Sequence, residues 1–437
     1  MRYLILIAAV FASSLFAGEA SAQPTAKGLL AGLPSSPGAH LDKVKFLGDN
    51  QWLSLGSPAP DPKWGKGRGH SWSARMPYAP DFKVAFVFGE GVHGFVKPNG
   101  HYMDDLFAYD LNAHRWICLY PGADVKTISL QMDKNGIEVD SDGQPIPLAQ
   151  LTHGYEQQTY DTDRKKFMFM PGNSEEWKPN LGERRKLWGG GYPYPGFPKQ
   201  SSPWMYNVAT NKFEIQKVQG GCPDTEKGRV LIYVQEMKKA FFWTPTPTGE
   251  VWFYDPAANS WTMEKASGPK PPFGIDAVAC LDSKRSRIYI AGGAYPVSAG
   301  PHAFWCYDLK AKAWIDPQPK GKPCQGDNEY GTNMAAMNYD AVNDVVVLCY
   351  HLTCDEGLQS MGWQAKAKNR GIYVYDPTTN AWKEEFTPLP KGFHPEAYAG
   401  CASSFYCPEV NAHYFHVAGD SGDNGVMWVY RYKQAKK

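Results

Sequence analysis

One short phrase recurs five times along this chain: a tyrosine followed by aspartate or, once, asparagine, with an aromatic residue seven positions after the tyrosine. Tyr109-Asp110 leads to Trp116, Tyr206-Asn207 to Phe213, Tyr254-Asp255 to Trp261, Tyr307-Asp308 to Trp314, and Tyr375-Asp376 to Trp382. Apolar residues precede each tyrosine, as in Val251-Trp252-Phe253-Tyr254 and Ile372-Tyr373-Val374-Tyr375, and a polar turn such as Pro256-Ala257-Ala258-Asn259 follows. Each phrase therefore reads as a β-hairpin. A hairpin that returns every roughly 40 to 50 residues marks a repeat architecture, because one hairpin cannot bury both faces and must stack on copies of itself.

Composition agrees. Aromatics make up 14% of the chain, with 43 glycines and 35 prolines, which suits many short strands joined by tight turns, and no convincing amphipathic helix stands out. Counting the residue that ends each innermost strand gives six starts: Tyr78, Tyr160, Gln235, Leu281, Tyr339 and Tyr406. The last unit, Val426-Met427-Trp428-Val429-Tyr430, has no aromatic after it, whereas Gln51-Trp52-Leu53-Ser54-Leu55 looks like an orphan strand carrying one. Joining the two removes the exposed edge of an open sheet. The expectation is an all-β, six-bladed β-propeller in a single domain over residues 23–437, closed by an N-terminal strand with Trp52 completing the sixth blade.

The pattern resembles the kelch repeat, in which a strand ending in paired glycines precedes the tyrosine-acid phrase and the tryptophan. The glycine pair is plain in Ile288-Tyr289-Ile290-Ala291-Gly292-Gly293 and degraded in Phe88-Gly89-Glu90, Met170-Pro171-Gly172 and Ala418-Gly419-Asp420. The resemblance covers nearly the whole chain after residue 22 and implies a kelch-type propeller, a fold that serves both scaffolds and enzymes.

Residues 1–22 open with Arg2, continue through an apolar stretch and close on Ala20-Ser21-Ala22, the pattern of a secretory signal peptide cleaved after Ala22. The product is expected to be periplasmic or extracellular. No other apolar run approaches the ~20 residues that span a bilayer. Forty-five basic residues against forty-four acidic ones leave no net field to attract nucleic acid. The nine cysteines are an odd number, so at least one thiol is unpaired; Cys280 and Cys306 fall in predicted strands, while Cys349 with Cys354, or Cys401 with Cys407, can form local bridges. Two insertions break the period, at 121–152 and 172–203. The first contains Asn135-Gly136 and Asp142-Gly143, both hairpin turns, and reads as a β-arm; Asp140-Ser141-Asp142-Gly143 is a turn rather than a calcium loop, since the remaining ligands are missing.

In a four-stranded blade the start of the inner strand and the turn after the second strand share one face. There this chain places His70, His153, Arg229, Asn333 and Tyr398, with Glu156 close by and His351 at a second-strand end. Imidazoles, a carboxylate and a guanidinium around one mouth suit proton transfer or the binding of a polyhydroxylated ligand. For catalysis the candidates are His153 and Glu156 as proton-transfer pair and Arg229 as anion clamp; His70, Asn333, His351 and Tyr398 are ligand-orienting groups. The plain alternative makes the histidines turn caps and Arg229 a structural tie. Trp177 and Trp188 lie in the second insertion, outside the repeat register, and are candidates for stacking on a sugar ring.

Two enzyme families share this repeat, and the resemblance implies an alternative for each. Galactose oxidase is a kelch propeller with axial copper bound by tyrosines and histidines beside a cysteine; Cys349-Tyr350-His351, with His153 or His416, invites that comparison. The sialic acid mutarotase of bacterial periplasm is similar in size and blade number and needs only a placed acid and base. The expectation is a cofactor-free, monomeric, ligand-binding or protein-interaction scaffold, its partner a glycan, a small sugar or an envelope or extracellular protein.

Overall fold

The computed structural model describes residues 28–67, 73–89, 99–102, 104–148, 154–172, 202–224, 228–245, 248–272, 275–295, 304–321, 335–350, 370–393, 401–418 and 425–435. A short helix α1 (His40–Lys45) and strand β1 (Gln51–Gly56) precede blade one, which is built from β2 (Tyr78–Ala79), β3 (Val84–Phe88), β4 (Leu106–Asp110) and β5 (Arg115–Tyr120). The hairpin β6 (Gln131–Met132) and β7 (Glu138–Val139) forms the expected arm. Blade two comprises β8 (Gln158–Asp161), β9 (Lys166–Phe169), β10 (Trp204–Asn207) and β11 (Lys212–Ile215); blade three β12 (Val230–Val234), β13 (Lys239–Trp243), β14 (Val251–Asp255) and β15 (Ser260–Glu264). Blade four runs β16 (Ile275–Asp282), β17 (Arg287–Tyr295), β18 (Phe304–Asp308) and β19 (Ala313–Ile315). Blade five holds β20 (Ala335–Asp340), β21 (Val345–Tyr350), β22 (Gly371–Asp376) and β23 (Ala381–Trp382), with β24 (Thr387–Pro388) also on β22. Blade six is β25 (Cys401–Cys407), β26 (Ala412–Ala418) and β27 (Val426–Arg431), completed by β1. Every blade is an antiparallel sheet, and the innermost strands β2, β8, β12, β16, β20 and β25 neighbour one another in that order, with β25 returning to β2. The fold is a closed, six-bladed β-propeller.

The recurring phrase explains its own turn. The aspartate carboxylate accepts the backbone N–H groups two and three residues on: Asp255 from Ala257 and Ala258 at 2.9 and 3.1 Å, Asp308 from Lys310 and Ala311 at 3.0 and 2.9 Å. The residue five after the tyrosine is left-handed, as at His114, Asn211, Asn259, Lys312 and Asn380. There the tyrosine hydroxyl finds a partner: Tyr254 donates to Asn259 Oδ1 and Tyr375 to Asn380 Oδ1, both at 2.8 Å. Asparagine tolerates the left-handed well and carries an acceptor. Tyr375→Phe is expected to cost about 1 kcal/mol, the worth of one such bond, in a urea titration.

The inner strands use the same device, and it corrects one register. Tyr160, Tyr339 and Tyr406 stand five residues before left-handed Lys165, Asp344 and Asn411, and in blade three the residue five before left-handed Lys238 is Tyr233, not Gln235. Gln235 lies in the 3-10 turn after β12.

Among the described residues six hydrophobic clusters lie one in each interface between blades, and a seventh, of Tyr102, Ala123, Leu130, Ile146 and Leu148, sits with the arm. The phrase's final aromatic reaches back to the preceding blade: Trp314 packs on Trp243 at 5.6 Å between ring centroids, and Trp382 on Phe304 at 5.1 Å. A propeller therefore grows by adding interfaces, which is how more than 400 residues avoid one oversized core.

Closure follows the expectation, and the phrase is split across the chain ends. Trp52 pairs with Tyr430 in the β1–β27 ladder, and the Tyr430 hydroxyl donates to Oδ1 of left-handed Asn50 at 2.9 Å, as its counterparts do within one hairpin. Trp52 packs on Phe393, Phe415 and Tyr430. Arg431, buried, donates to the carbonyls of Asn411, Lys45, Leu47 and Val410 at 3.1, 2.9, 2.7 and 2.6 Å, tying α1 and its exit to the last blade.

Cys349 and Cys407 are free thiols, as are Cys222, Cys280 and Cys306, so neither proposed local bridge forms. For the second pair the reason is geometric: Cys401 and Cys407 open and close one strand, about 20 Å apart at the rise of an extended chain. The Asp140–Gly143 segment is a turn, its carboxylate holding the N–H groups of Asp142 and Gln144 at 2.9 and 2.8 Å.

Candidate functional site

The innermost strand of each blade is an edge strand, so its outward N–H and C=O groups face the central channel without a ladder partner. The approach to β2 meets that need. Residues 73–76 run between blades two and six, bridging Ser73 to Tyr155 and Arg75 to Ser404, with Ala74 N–H donating to the Tyr155 carbonyl at 3.2 Å and Met76 N–H to the Ser404 carbonyl at 2.9 Å. From there Arg75 crosses the channel. Its Nη1 donates to the Leu231 carbonyl of blade three at 3.2 Å, its Nη2 to the Ala279 carbonyl of blade four at 2.6 Å, and it forms an ion pair with Glu156 of blade two. One guanidinium thus ties elements of blades one to four.

Glu156 is fixed by its backbone as well. Its carbonyl accepts Leu231 N–H at 2.9 Å, and it bridges Val230 at the start of β12. Burial pushes its carboxyl up to about 7, opposed by the Arg75 charge and by the Ala279 N–H. A carboxyl in that range exchanges its proton near neutrality, a property more common at functional sites than elsewhere. Around the pair the wall is polar: Ser403 Oγ donates to the Ser73 carbonyl at 2.5 Å, Asn338 Nδ2 to Ser404 Oγ at 2.8 Å, and Gln158 Nε2 to Ser73 Oγ at 3.2 Å and the Phe88 carbonyl at 3.1 Å.

Arg229 sits one residue before Val230, so the ring brings it beside Glu156 on the neighbouring strand. The two side chains part company there. Arg229 is buried, its Nη2 donating to Asp224 Oδ2 at 2.9 Å while its backbone N–H donates to Gln157 Oε1 at 3.2 Å. His70, His153, Asn333, His351, Tyr398, Trp177 and Trp188 lie outside the described residues. Sequence reasoning missed Arg75. A cation on the approach to the first inner strand, five residues after His70, was the available signal.

Among the described residues no group of three or more His, Cys, Asp and Glu is arranged to hold a metal ion. Of the copper-type set, Cys349 and Tyr350 are buried at the end of β21, His416 packs on Trp116 with ring centroids 4.9 Å apart, and His153 and His351 lie outside the described residues. No helix among the described residues is long and apolar enough to cross a membrane.

Fold and site together define a six-bladed β-propeller whose channel is crossed by an arginine paired with a buried glutamate. Similar solved structures include that of YjhT, 11% identical with a TM-score of 0.43 over 86% of this chain and 96% of that one. Others are an oligogalacturonate lyase in complex with manganese, 9% identical with a TM-score of 0.41 over 88% and 98% of the two chains, and TolB from Acinetobacter baumannii, 10% identical with a TM-score of 0.37 over 78% and 63%. No family model and no curated protein matches this sequence.

Proposed function

We propose that this chain is an exported, ligand-binding propeller, cleaved after Ala22, whose ligand is a glycan or small sugar seated at the mouth where the inner strands begin. The observation that carries this reading is the Arg75–Glu156 crossing, which ties blades one to four at that end of the channel and gives the mouth a charged, polar floor. The candidate ligand contacts are those that strand register assigns to this mouth, His70, His153, Arg229, Asn333, His351 and Tyr398, with Trp177 and Trp188 in the second insertion. A propeller suits this role because ring closure makes the floor rigid, so little ordering cost attends binding.

A second reading, a sugar mutarotase or epimerase, is favoured by one observation: Glu156 is held at about 7, where a carboxyl serves as acid and as base. His153 would then be its proton-transfer partner and Arg229 the anion clamp. The test is a thermal-shift panel of neutral and acidic sugars on wild type and Glu156→Gln, followed by NMR anomer exchange with any sugar that registers. A sugar that stabilises both proteins, without exchange above the spontaneous rate, is the expected result. Exchange that is present in wild type and lost in Glu156→Gln replaces binding with catalysis, and the absence of any sugar-dependent shift sinks both in favour of a protein partner. Elemental analysis of the purified protein tests the copper alternative, and N-terminal sequencing tests the cleavage.

A further inference from the structure

The opposite mouth, where the inner strands end, carries its own pattern. At three successive junctions a tyrosine closing one inner strand donates to an acid in the turn of the blade before it. Tyr78 donates to Glu409 at 3.3 Å, Tyr160 to Asp81 at 3.4 Å, and Tyr233 to Asp163. In each turn the acid lies three residues after the tyrosine position, as Asp81 follows Tyr78 and Asp163 follows Tyr160. Further round the ring the acid position changes, to Lys284 in blade four and Val342 in blade five, and the phenols turn elsewhere. Tyr339 donates to its own Asp344 and Tyr406 to Asp340, both at 2.8 Å.

Between blades three and four the arrangement is broken in the opposite sense. The acid is present, Glu236, but the tyrosine position of blade four is Leu281. A leucine lacks both the ring volume and the hydroxyl, and a cavity of about 470 Å³ opens there, lined by Tyr160, Thr162, Tyr233, Glu236, Leu281 and Ser283 among others. Glu236 is exposed and, among the described residues, makes no hydrogen bond or ion pair. The nearest cation in register, Lys284, is turned to Asp344 at 2.5 Å. Thr162 Oγ1 is buried without a hydrogen-bond partner.

We propose that this cavity binds a small organic cation, a protonated amine on an aromatic or apolar body. The ammonium takes the place of the absent phenol O–H on Glu236, and the body fills the space beside Leu281, Tyr160 and Tyr233. The volume suits a ligand of amino-acid size or somewhat larger. Charge sets the class: an unpaired carboxylate at the rim of an apolar recess favours a cation over a neutral or anionic ligand. The site is independent of the reading above, since it stands at the other end of the inner strands and shares no residue with the Arg75–Glu156 floor.

The probe is tyramine, compared with 4-ethylphenol, which has the same ring without the amine, by titration calorimetry and NMR shift perturbation on the full chain. Saturable tyramine binding is expected, weaker for 4-ethylphenol and weaker in Glu236→Gln by roughly tenfold, equivalent to about 1.4 kcal/mol. Leu281→Tyr places the chain's own phenol in the recess, as the neighbouring junctions do, and is expected to abolish tyramine binding while raising the Tm. Equal affinity for amine and neutral analogue, tyramine binding unchanged in Leu281→Tyr, or no saturable tyramine binding overturns the proposal. If Leu281→Tyr does not fold, Glu236→Gln decides alone: undiminished tyramine affinity in it overturns the proposal.

Discussion

Arg431→Met lowers the unfolding free energy by about 3 to 5 kcal/mol and makes unfolding begin at the chain ends, the expected result of removing a buried guanidinium whose partners cannot be replaced. The guanidinium has four backbone carbonyls on two segments, the end and exit of α1 and the β25–β26 turn, and draws both to its own strand β27. Arg431 is only 4% exposed, so methionine in its place leaves those carbonyls with little access to water in exchange for the lost donors. Hydrogen exchange on β1 and β27 is the sharper readout. Their amides are expected to exchange earlier than those of β16 and β17 in the variant, since the sixth blade is joined non-covalently from both ends of the chain. Uniform protection loss around the ring would show that Arg431 is an ordinary core residue rather than the clasp.

The second large effect belongs to the channel pair and depends on pH. Glu156 titrates at about 7 in the folded protein against 4.5 as its ordinary value, so the unfolded chain gives up this proton first as pH rises. Stability from this group is therefore greatest below pH 4.5, falls as pH climbs to about 7, and is constant beyond, a total of about 3 kcal/mol. His114 works in the opposite direction. Burial and neighbouring His40 lower it from 6.5 to about 4, so its contribution is lost as pH falls through that interval. The difference between Glu156→Gln and wild type isolates the carboxyl, because His114 cancels and carboxylates such as Asp344, held well below the usual range by Arg285, titrate lower. Urea titrations between pH 4.5 and 8 are expected to show the glutamine variant gaining relative stability with pH. A flat difference would mean that Glu156 is ionised throughout. Arg75→Met completes the test. It leaves two edge carbonyls and a buried carboxyl without their cation, so a deficit of about 3 to 5 kcal/mol is expected at pH 8, smaller at pH 5 where the acid is protonated.

The blade count and the closing strand were legible because they rest on near neighbours in the sequence. A tyrosine, an acid one residue on, a left-handed residue at five and an aromatic at seven make one turn and one pair of cross-strand contacts, and Asn50 with Trp52 show the same spacing even when split from Tyr430. Blade three misled the reading because Val234-Gln235 offers two plausible ends to one strand, and only the left-handed Lys238 shows that Tyr233 holds the position. Of the candidate site, Glu156 and Arg229 were found from strand register, which places residues at a mouth but does not aim their side chains. Arg229 turns to Asp224, and Glu156 to Arg75.

By itself the sequence determined a ring of six stacked sheets, since local turn chemistry repeated at one period has few other ways to bury its aromatic residues. Only the tertiary structure decided the channel and its far mouth. Arg75, Glu156, Leu231 and Ala279 come from four different blades, and Glu236 and Leu281 from two. Their meeting depends on the angle at which the ring closes, and a buried ion pair or a missing phenol has an energy only once that closure has removed water from around it.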